Sequence, residues 1–383
     1  MLAAVIGRDD RSRSIEPLRF EQVFARQFRN LAPLDLVPGP RFNVLSGDNG
    51  QGKSNVLEAL CYLGSLRSFR GAPAEELVQR GHDTTTLAAK VSGPPAPHTL
   101  KVRVHRPGAP GASRGRELAL DDKRPRSIAG WLGVCPVVLF HPGDLELAQG
   151  GPDARRALLD GVLEEMEPSY GSALATYGKA LRSRNRLLRD ESPDRRAITS
   201  FDPILASAGA AIGRARTELV REIAPVTVRT ARAILGDEIP VEVRYSPRVE
   251  PTEDAITQAL SRSLEKDLAR GFTAEGPHAD DVALEVHARG AKHHASQGQQ
   301  RALVLALKVA ELEVLARRIG RVPPLLLDDV SSELDRTRNE RFFALLAQIG
   351  GQVFLTTTHP ELIRLGEGRA DWHVEAGRVT RAA

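Results

Sequence analysis

GDNGQGKS, residues Gly47 to Ser54, fits the spacing G-x-x-x-x-G-K-[S/T], and everything else in the chain is read outward from it. Gly47, Gly50 and Gly52 let a backbone wrap an anion with its N–H groups turned inward. Lys53 supplies a point charge to β- and γ-phosphate oxygens, and Ser54 a hydroxyl to Mg2+. The helix opening here adds its positive dipole end. Asp48, Asn49 and Gln51 complete the loop and Asn55 follows it, so Gly47–Asn55 is the candidate nucleotide site. A chance Gly-rich turn could give the same string. The flanks argue otherwise: the apolar run Phe42–Leu45 precedes it, and Val56, Leu57 and Leu60 follow at helical spacing.

A second motif, PLLLDDVSSELD, runs from Pro324 to Asp335. Leu325–Leu327 read as a strand buried on both faces. Asp328 at its C-terminal end falls where open α/β sheets bind ligands, and could hold Mg2+. Asp329 is placed to orient an attacking water. Two turn-forming aspartates would be the plainer reading, and the phosphate loop in the same chain tips the balance. The segment ASQGQQR from Ala295 opens a helix with polar residues and one glycine, an anion-binding pattern that an ordinary Ser-capped helix start would also give.

The last hundred residues predict a helix over 299–317, a strand over 323–327, a helix over 335–349 and a strand over 352–357, the alternation of a parallel α/β sheet. Strands are also expected at 18–30 and 40–46, and short β-like runs fill 73–140. From Asp153 to Asp190 the spacing is helical, and after a polar break a second helix is expected over 197–235. One helix of that first length would reach roughly 55 Å. The expected organisation is a leader at 1–15, half of an α/β lobe at 16–148, an inserted antiparallel helical arm at 149–274, and the other half at 275–383.

No run of 18 apolar residues exists in the 383, so no membrane span is expected, and the first twenty residues lack a secretory apolar core. Cys61 and Cys135 alone make neither a disulfide framework nor a zinc spacing, which fits a reducing, cytoplasmic setting. Aromatic residues are 4% of the chain, too few for a base-stacking platform. Net charge is +4, and the arginines cluster. Arg182, Arg184, Arg186 and Arg189 lie near the arm's tip with Arg195 and Arg196 across the turn. Arg155 and Arg156 lie at its base, and Lys123, Arg124 and Arg126 in a β-rich loop. Such strips bind nucleic-acid phosphates, although a solvated helix face is the commoner meaning of a charge run.

Taken in order, FRNL (Phe28–Leu31), GDNGQGKSN, SFRG (Ser68–Gly71), LFHPGDLELAQGGPDARRALLD (Leu139–Asp160), GPHADDV (Gly276–Val282), SQGQQR and LLLDDVSSELD resemble the RecF family, bacterial relatives of the SMC-type ABC ATPases. The resemblance spans residues 17–375. It implies an ABC-type P-loop ATPase head with the helical arm inserted. Gly47–Ser54 would be the Walker A loop, Asp328 the Walker B acid, and Asp329 would replace the usual catalytic Glu, one methylene shorter. Ser296, Gly298 and Gln299 would be the ABC signature, with Gln297 in place of its first glycine. Ser331–Asp335 would be the D-loop and His359 the switch histidine. His141 takes the place of the Q-loop glutamine, a possible Mg2+ contact. Arg70 matches an arginine that SMC-type heads place near nucleotide or DNA.

The resemblance further implies a symmetric homodimer formed on ATP, with Lys53 of one copy meeting Ser296 of the other. It implies binding to double-stranded and gapped DNA, slow DNA-stimulated hydrolysis, RecR and RecO as partners, and recombinase RecA downstream. Three other readings are open: a transporter ATPase subunit, an ABC-linked nuclease, and an SMC-like structural tether. The basic arm, the absence of a further acidic metal centre and the short helices speak against them in turn.

Overall fold

The computed structural model describes residues 16–93, 97–109, 115–330 and 334–382. The expected leader, the middle of the loop at 107–116, and Ser331–Glu333 of the expected D-loop lie outside them. The chain divides into two compact units. One takes residues through Leu145, Thr230–Asp237 and everything from Gln297; the other takes Glu146–Arg229 and Glu238–Ser296.

The first unit is built on a six-stranded sheet. In spatial order its strands are Arg378–Arg381, Arg369–Glu375, Phe42–Ser46, Val353–Thr357, Leu325–Leu327 and Val138–Phe140, all parallel except the first. Continuous apolar runs make its centre: Leu325–Leu327 and Val353–Leu355 are all nearly inaccessible, as strands covered on both faces must be. The helix Lys53–Ser65 packs on this sheet and buries Val56, Leu57, Ala59 and Leu60 completely. Each large aliphatic among them is worth about 1.5–3 kcal/mol of burial. A five-stranded antiparallel sheet completes the unit, in the order Leu34–Leu36, Arg19–Arg26, Thr84–Ser92, His98–His105, Arg116–Leu120. Its strands alternate: Thr85, Leu87, Ala89 and Val91 face the core while their neighbours are more open.

The second unit holds the helices Pro152–Met166, Pro168–Leu188 and Glu253–Arg270, most of the long helix Asp202–Leu235, and a small antiparallel sheet of Val241–Ser246, Asp281–Val286 and Arg289–Gly290. Two expectations are corrected here. The single helix expected over 153–190 is two helices. Proline pushes its preceding residue out of the helical region, and Glu167 is extended at φ −133 and ψ 97. The unit also runs past the expected boundary at 274, because Asp281–Val286 pairs along its length with Val241–Ser246.

Candidate functional site

The phosphate loop leaves the strand Phe42–Ser46 and turns into the helix at Lys53. Gly47, Gly50 and Gly52 all sit at positive φ, at 147, 80 and 110. Two of them are also sterically forced: a Cβ on Gly47 would lie 2.2 Å from the Val374 carbonyl oxygen, and one on Gly52 would lie 2.9 Å from Asn30 Oδ1. Around Gly50 there is open space. Lys53 Nζ turns back into the loop and donates to the carbonyls of Gly47 at 2.7 Å and Asp48 at 2.9 Å. Burial lowers its pKa, and the carboxylates of Asp329, Asp328 and Asp48 pull the other way. Pointing inward, the lysine marks where a phosphate would sit.

Segments remote in sequence brace the loop. Ala376 N–H donates to Gln51 Oε1 at 2.6 Å and Gly377 N–H to the Gln51 carbonyl at 2.9 Å. Asn30 Nδ2 donates to the Gly50 carbonyl at 3.3 Å, and its Oδ1 accepts from Asn55 Nδ2 at 2.6 Å. Arg70 Nη1 donates to Asn55 Oδ1 at 2.7 Å. Beneath them Glu58, wholly buried, accepts a bidentate pair from Arg29 at 2.7 and 2.8 Å and a bond from the Ser68 hydroxyl. The FRNL and SFRG segments are thus wired to the helix that follows the phosphate loop.

The acidic motif lies two strands away. The strand between, Val353–Thr357, carries a residue that sequence reasoning missed. Thr356 Oγ1 donates to Asp328 Oδ1 at 2.8 Å and accepts from Asp329 N–H at 2.9 Å. Asp328 N–H donates in turn to the Phe140 carbonyl at 2.8 Å. Asp329 is in the left-handed region, φ 52, a conformation costing about 1 kcal/mol or more. One buried hydroxyl therefore fixes both aspartates. The run of three threonines at 356–358 was its only sequence trace.

His359 follows this strand, 61% exposed, with Nδ1 3.1 Å from Glu361 Oε1. His141 is half-buried, and burial lowers its pKa despite the nearby Asp144 carboxylate. Gly143 N–H donates to His141 Nδ1 at 3.1 Å, so the neutral ring carries its proton on Nε2. In this arrangement His141 presents a donor at Nε2. Ser54 and Asp328 remain, both hard oxygen donors. Among the described residues no group of three or more acidic, His or Cys side chains is arranged to hold a metal ion on its own. A short protein ligand set of this kind suits Mg2+ completed by phosphate oxygens and water.

Of the signature, Ser296 is exposed and closes the second unit, while Gly298 and Gln299 belong to the helix Gln297–Ile319 of the first. The expected D-loop is described only at Leu334 and Asp335. Helical phase divides the arm arginines. Arg182, Arg186 and Arg189 are exposed at spacings of four and three, on one face. Arg184 is corrected: it is fully buried, bonded to Asp202 at 3.0 Å, Asp267 at 2.9 Å and Thr273 at 2.7 Å, and reaches no ligand. Arg155 and Arg156 are likewise engaged within their unit, with Asp281 and with the Asp280 carbonyl. Lys123, Arg124 and Arg126 are exposed. The two arginines, with Arg116, line an open cleft of about 920 Å³.

A phosphate-loop strand separated by one strand from an acidic strand, with a serine-led helix start carried elsewhere in the chain, defines an ABC-type P-loop ATPase head with an inserted helical arm. The comparisons narrow this. No family model matches the chain. The DNA replication and repair protein RecF of Anaeromyxobacter sp. (strain Fw109-5) is 43% identical over 367 residues, which is 93% of this chain and 97% of the relative. The structure of the recombination mediator protein RecF-ATP in the RecFOR pathway superposes with a TM-score of 0.85 at 28% identity, covering 97% of this chain and all of the other. A Pyrococcus furiosus Smc head matches with a TM-score of 0.57 at 14% identity over 96% of each chain, a likeness of fold. The chain belongs to the RecF family. No helix among the described residues is long and apolar enough to cross a membrane.

Proposed function

We propose that this chain is an ATP-driven DNA clamp of recombinational repair. Two copies close on two ATP molecules at gapped or junction DNA and help recombinase loading with RecR and RecO. The single observation carrying the ATP half is the Thr356 hydroxyl, which ties Asp328 and Asp329 together on the strand beside the phosphate loop. When ATP binds, Lys53 exchanges the Gly47 and Asp48 carbonyls for β- and γ-phosphate oxygens. Ser54 and Asp328 would hold Mg2+, which would supply positive charge against the phosphates. Asp329 aims a water at the γ-phosphorus, the bond to the bridging oxygen breaks, and ADP and phosphate leave. His359, exposed at the strand end, would reach the γ-phosphate once the site closes. Each chain has one lysine loop and one signature, so a closed dimer holds two composite sites. On the DNA side, the exposed faces of Arg182, Arg186 and Arg189 and of Lys123, Arg124 and Arg126 supply phosphate contacts without reading sequence.

Sedimentation with ADP, ATP and ATP plus gapped duplex, for wild type and Lys53→Met, tests this reading. Dimers with ATP alone, absent in the variant, and turnover raised by DNA are expected. A monomer under every condition would overturn it.

A further inference from the structure

Gly298 poses a question that the signature pattern does not answer. Its neighbour Gln297 already replaces a glycine of the pattern, so the segment tolerates side chains. Gly298 itself is not among the glycines at positive φ, so backbone conformation does not demand a glycine here. What lies against it is a guanidinium. A Cβ on Gly298 would lie 2.2 Å from Arg338 Nη1 and 3.4 Å from its Cζ. Arg338 therefore rests directly on the signature glycine.

The helix Arg336–Leu346 begins immediately beyond the D-loop, and its first turn places this arginine. Asp335 caps it, with Oδ1 accepting the Arg338 N–H at 3.0 Å while Oδ2 lies 3.0 Å from Arg338 Nη1. That ion pair is not a strong anchor. The arginine side chain is 25% exposed and the aspartate 54%, so water screens the pair to about 1 kcal/mol or less. A guanidinium held this loosely can exchange a screened carboxylate for a phosphate, a ligand its planar fork matches and which carries more charge.

We infer that Arg338 acts in trans, as a phosphate ligand that each copy supplies together with its signature to the γ-phosphate held by the other copy. The inference rests on the composite site proposed above. The chemistry is electrostatic: the positive charge meets the equatorial γ-oxygens, where negative charge sits as the bond to the leaving group breaks. Gly298 then leaves room for the guanidinium against the helix start.

The test is a mixing experiment on the full chain with Arg338→Met, Arg338→Lys and Lys53→Met. Arg338→Met keeps its own phosphate loop, so a fluorescent ATP analogue binds its monomer as in wild type. Its ATP-dependent dimerisation and DNA-stimulated kcat each fall at least about tenfold, the size of one charge-assisted hydrogen bond. Arg338→Lys, which keeps the charge without the fork, recovers part of the loss. Mixing Arg338→Met with Lys53→Met restores turnover, because the first copy brings a loaded phosphate loop and the second an intact arginine and signature. A cis-acting Arg338 cannot be rescued in this way, and an Arg338 that only shaped its own signature helix would not be partly replaced by a lysine in turnover. Wild-type dimerisation by Arg338→Met, or a mixture as inactive as its components, overturns the inference while the clamp stands. A wild type that never dimerises on ATP overturns the clamp and the inference together.

Discussion

Thr356→Val is the most informative single change in the nucleotide site. Valine matches threonine in shape, so the strand Val353–Thr357 keeps its packing, and what is lost is one donor and one acceptor. The donor serves the Asp328 carboxylate at 2.8 Å, and the acceptor holds the Asp329 N–H at 2.9 Å. A hydrogen bond to a charged group is worth about 1.5–3 kcal/mol. Losing the second bond removes one restraint holding Asp329 at φ 52, a conformation that costs about 1 kcal/mol. If a comparable part of this is felt in the transition state, kcat falls about 10- to 100-fold, at roughly 1.4 kcal/mol per tenfold. KM for ATP stays within about threefold, because Lys53 and the loop glycines do not touch Thr356. Steady-state ATP turnover with gapped DNA, read beside a thermal melt and a Mg2+ titration, separates the two effects. Thr356→Ser keeps the hydroxyl and behaves as wild type. A valine variant with wild-type kcat, or a serine variant as impaired as valine, would refute the claim that this hydroxyl aims the two aspartates.

Other outcomes follow from the same coordinates. Gly47→Ala abolishes nucleotide binding in an equilibrium titration, because its Cβ would meet the Val374 carbonyl at 2.2 Å; Gly50→Ala, strained at φ 80 but in open space, costs about 1–2 kcal/mol and still binds. Arg184→Ala removes the cation paired with the buried Asp267 and the partly buried Asp202 and lowers stability by about 3 kcal/mol in a denaturant melt. Arg186→Ala leaves the melt unchanged but weakens DNA binding and lowers the salt slope by about one. For His278, burial pushes the pKa below 6.5, aided by Arg156, while Thr273, Asp280 and Asp267 oppose the shift. The unfolded chain therefore takes up the proton first as pH falls. The stability this group contributes is full above about 6.5 and declines as pH drops from there through the folded pKa. Melts from pH 7.5 to 5.5 should show this slope, and His278→Gln should flatten it.

What could be read without coordinates was what local chemistry dictates. GDNGQGKS announces a turn, a charge and a helix start within eight residues, and LLLDD announces a doubly covered strand with acids at its end. The order in which these strands lie beside one another depends on residues hundreds of positions apart. Ala376 bonds Gln51 across 325 positions, and Gln352 bonds Phe20 across 332. Thr356 was invisible for the same reason, since its value comes from lying next to another strand's aspartates. The arm arginines failed differently. Their density was legible, but which face they take is a matter of helical phase, and Arg184 falls two residues from Arg182 and Arg186, on the inward side. The helix break at Glu167 was legible in principle, because Pro168 stood in the sequence.

Lys53 shows why the loop is shaped for a triphosphate. Folding has taken the ammonium out of bulk water, at a cost that its lowered pKa records. Two loop carbonyls and three carboxylates at longer range compensate in part. A triphosphate arriving there meets a donor already largely buried, whose hydrogen-bond partners are neutral oxygens. Exchanging those for charged ones gains more than it would for a lysine swinging in from solvent, since the same charges interact more strongly where water is excluded. Hydrogen bonds from Ala376, Gly377 and Asn30 to Gln51 and Gly50 brace the loop. On this view Gln51→Ala, which removes one brace and touches no phosphate-facing atom, weakens ATP binding severalfold with kcat at saturation unchanged. Equal loss in both would place Gln51 in the chemistry instead.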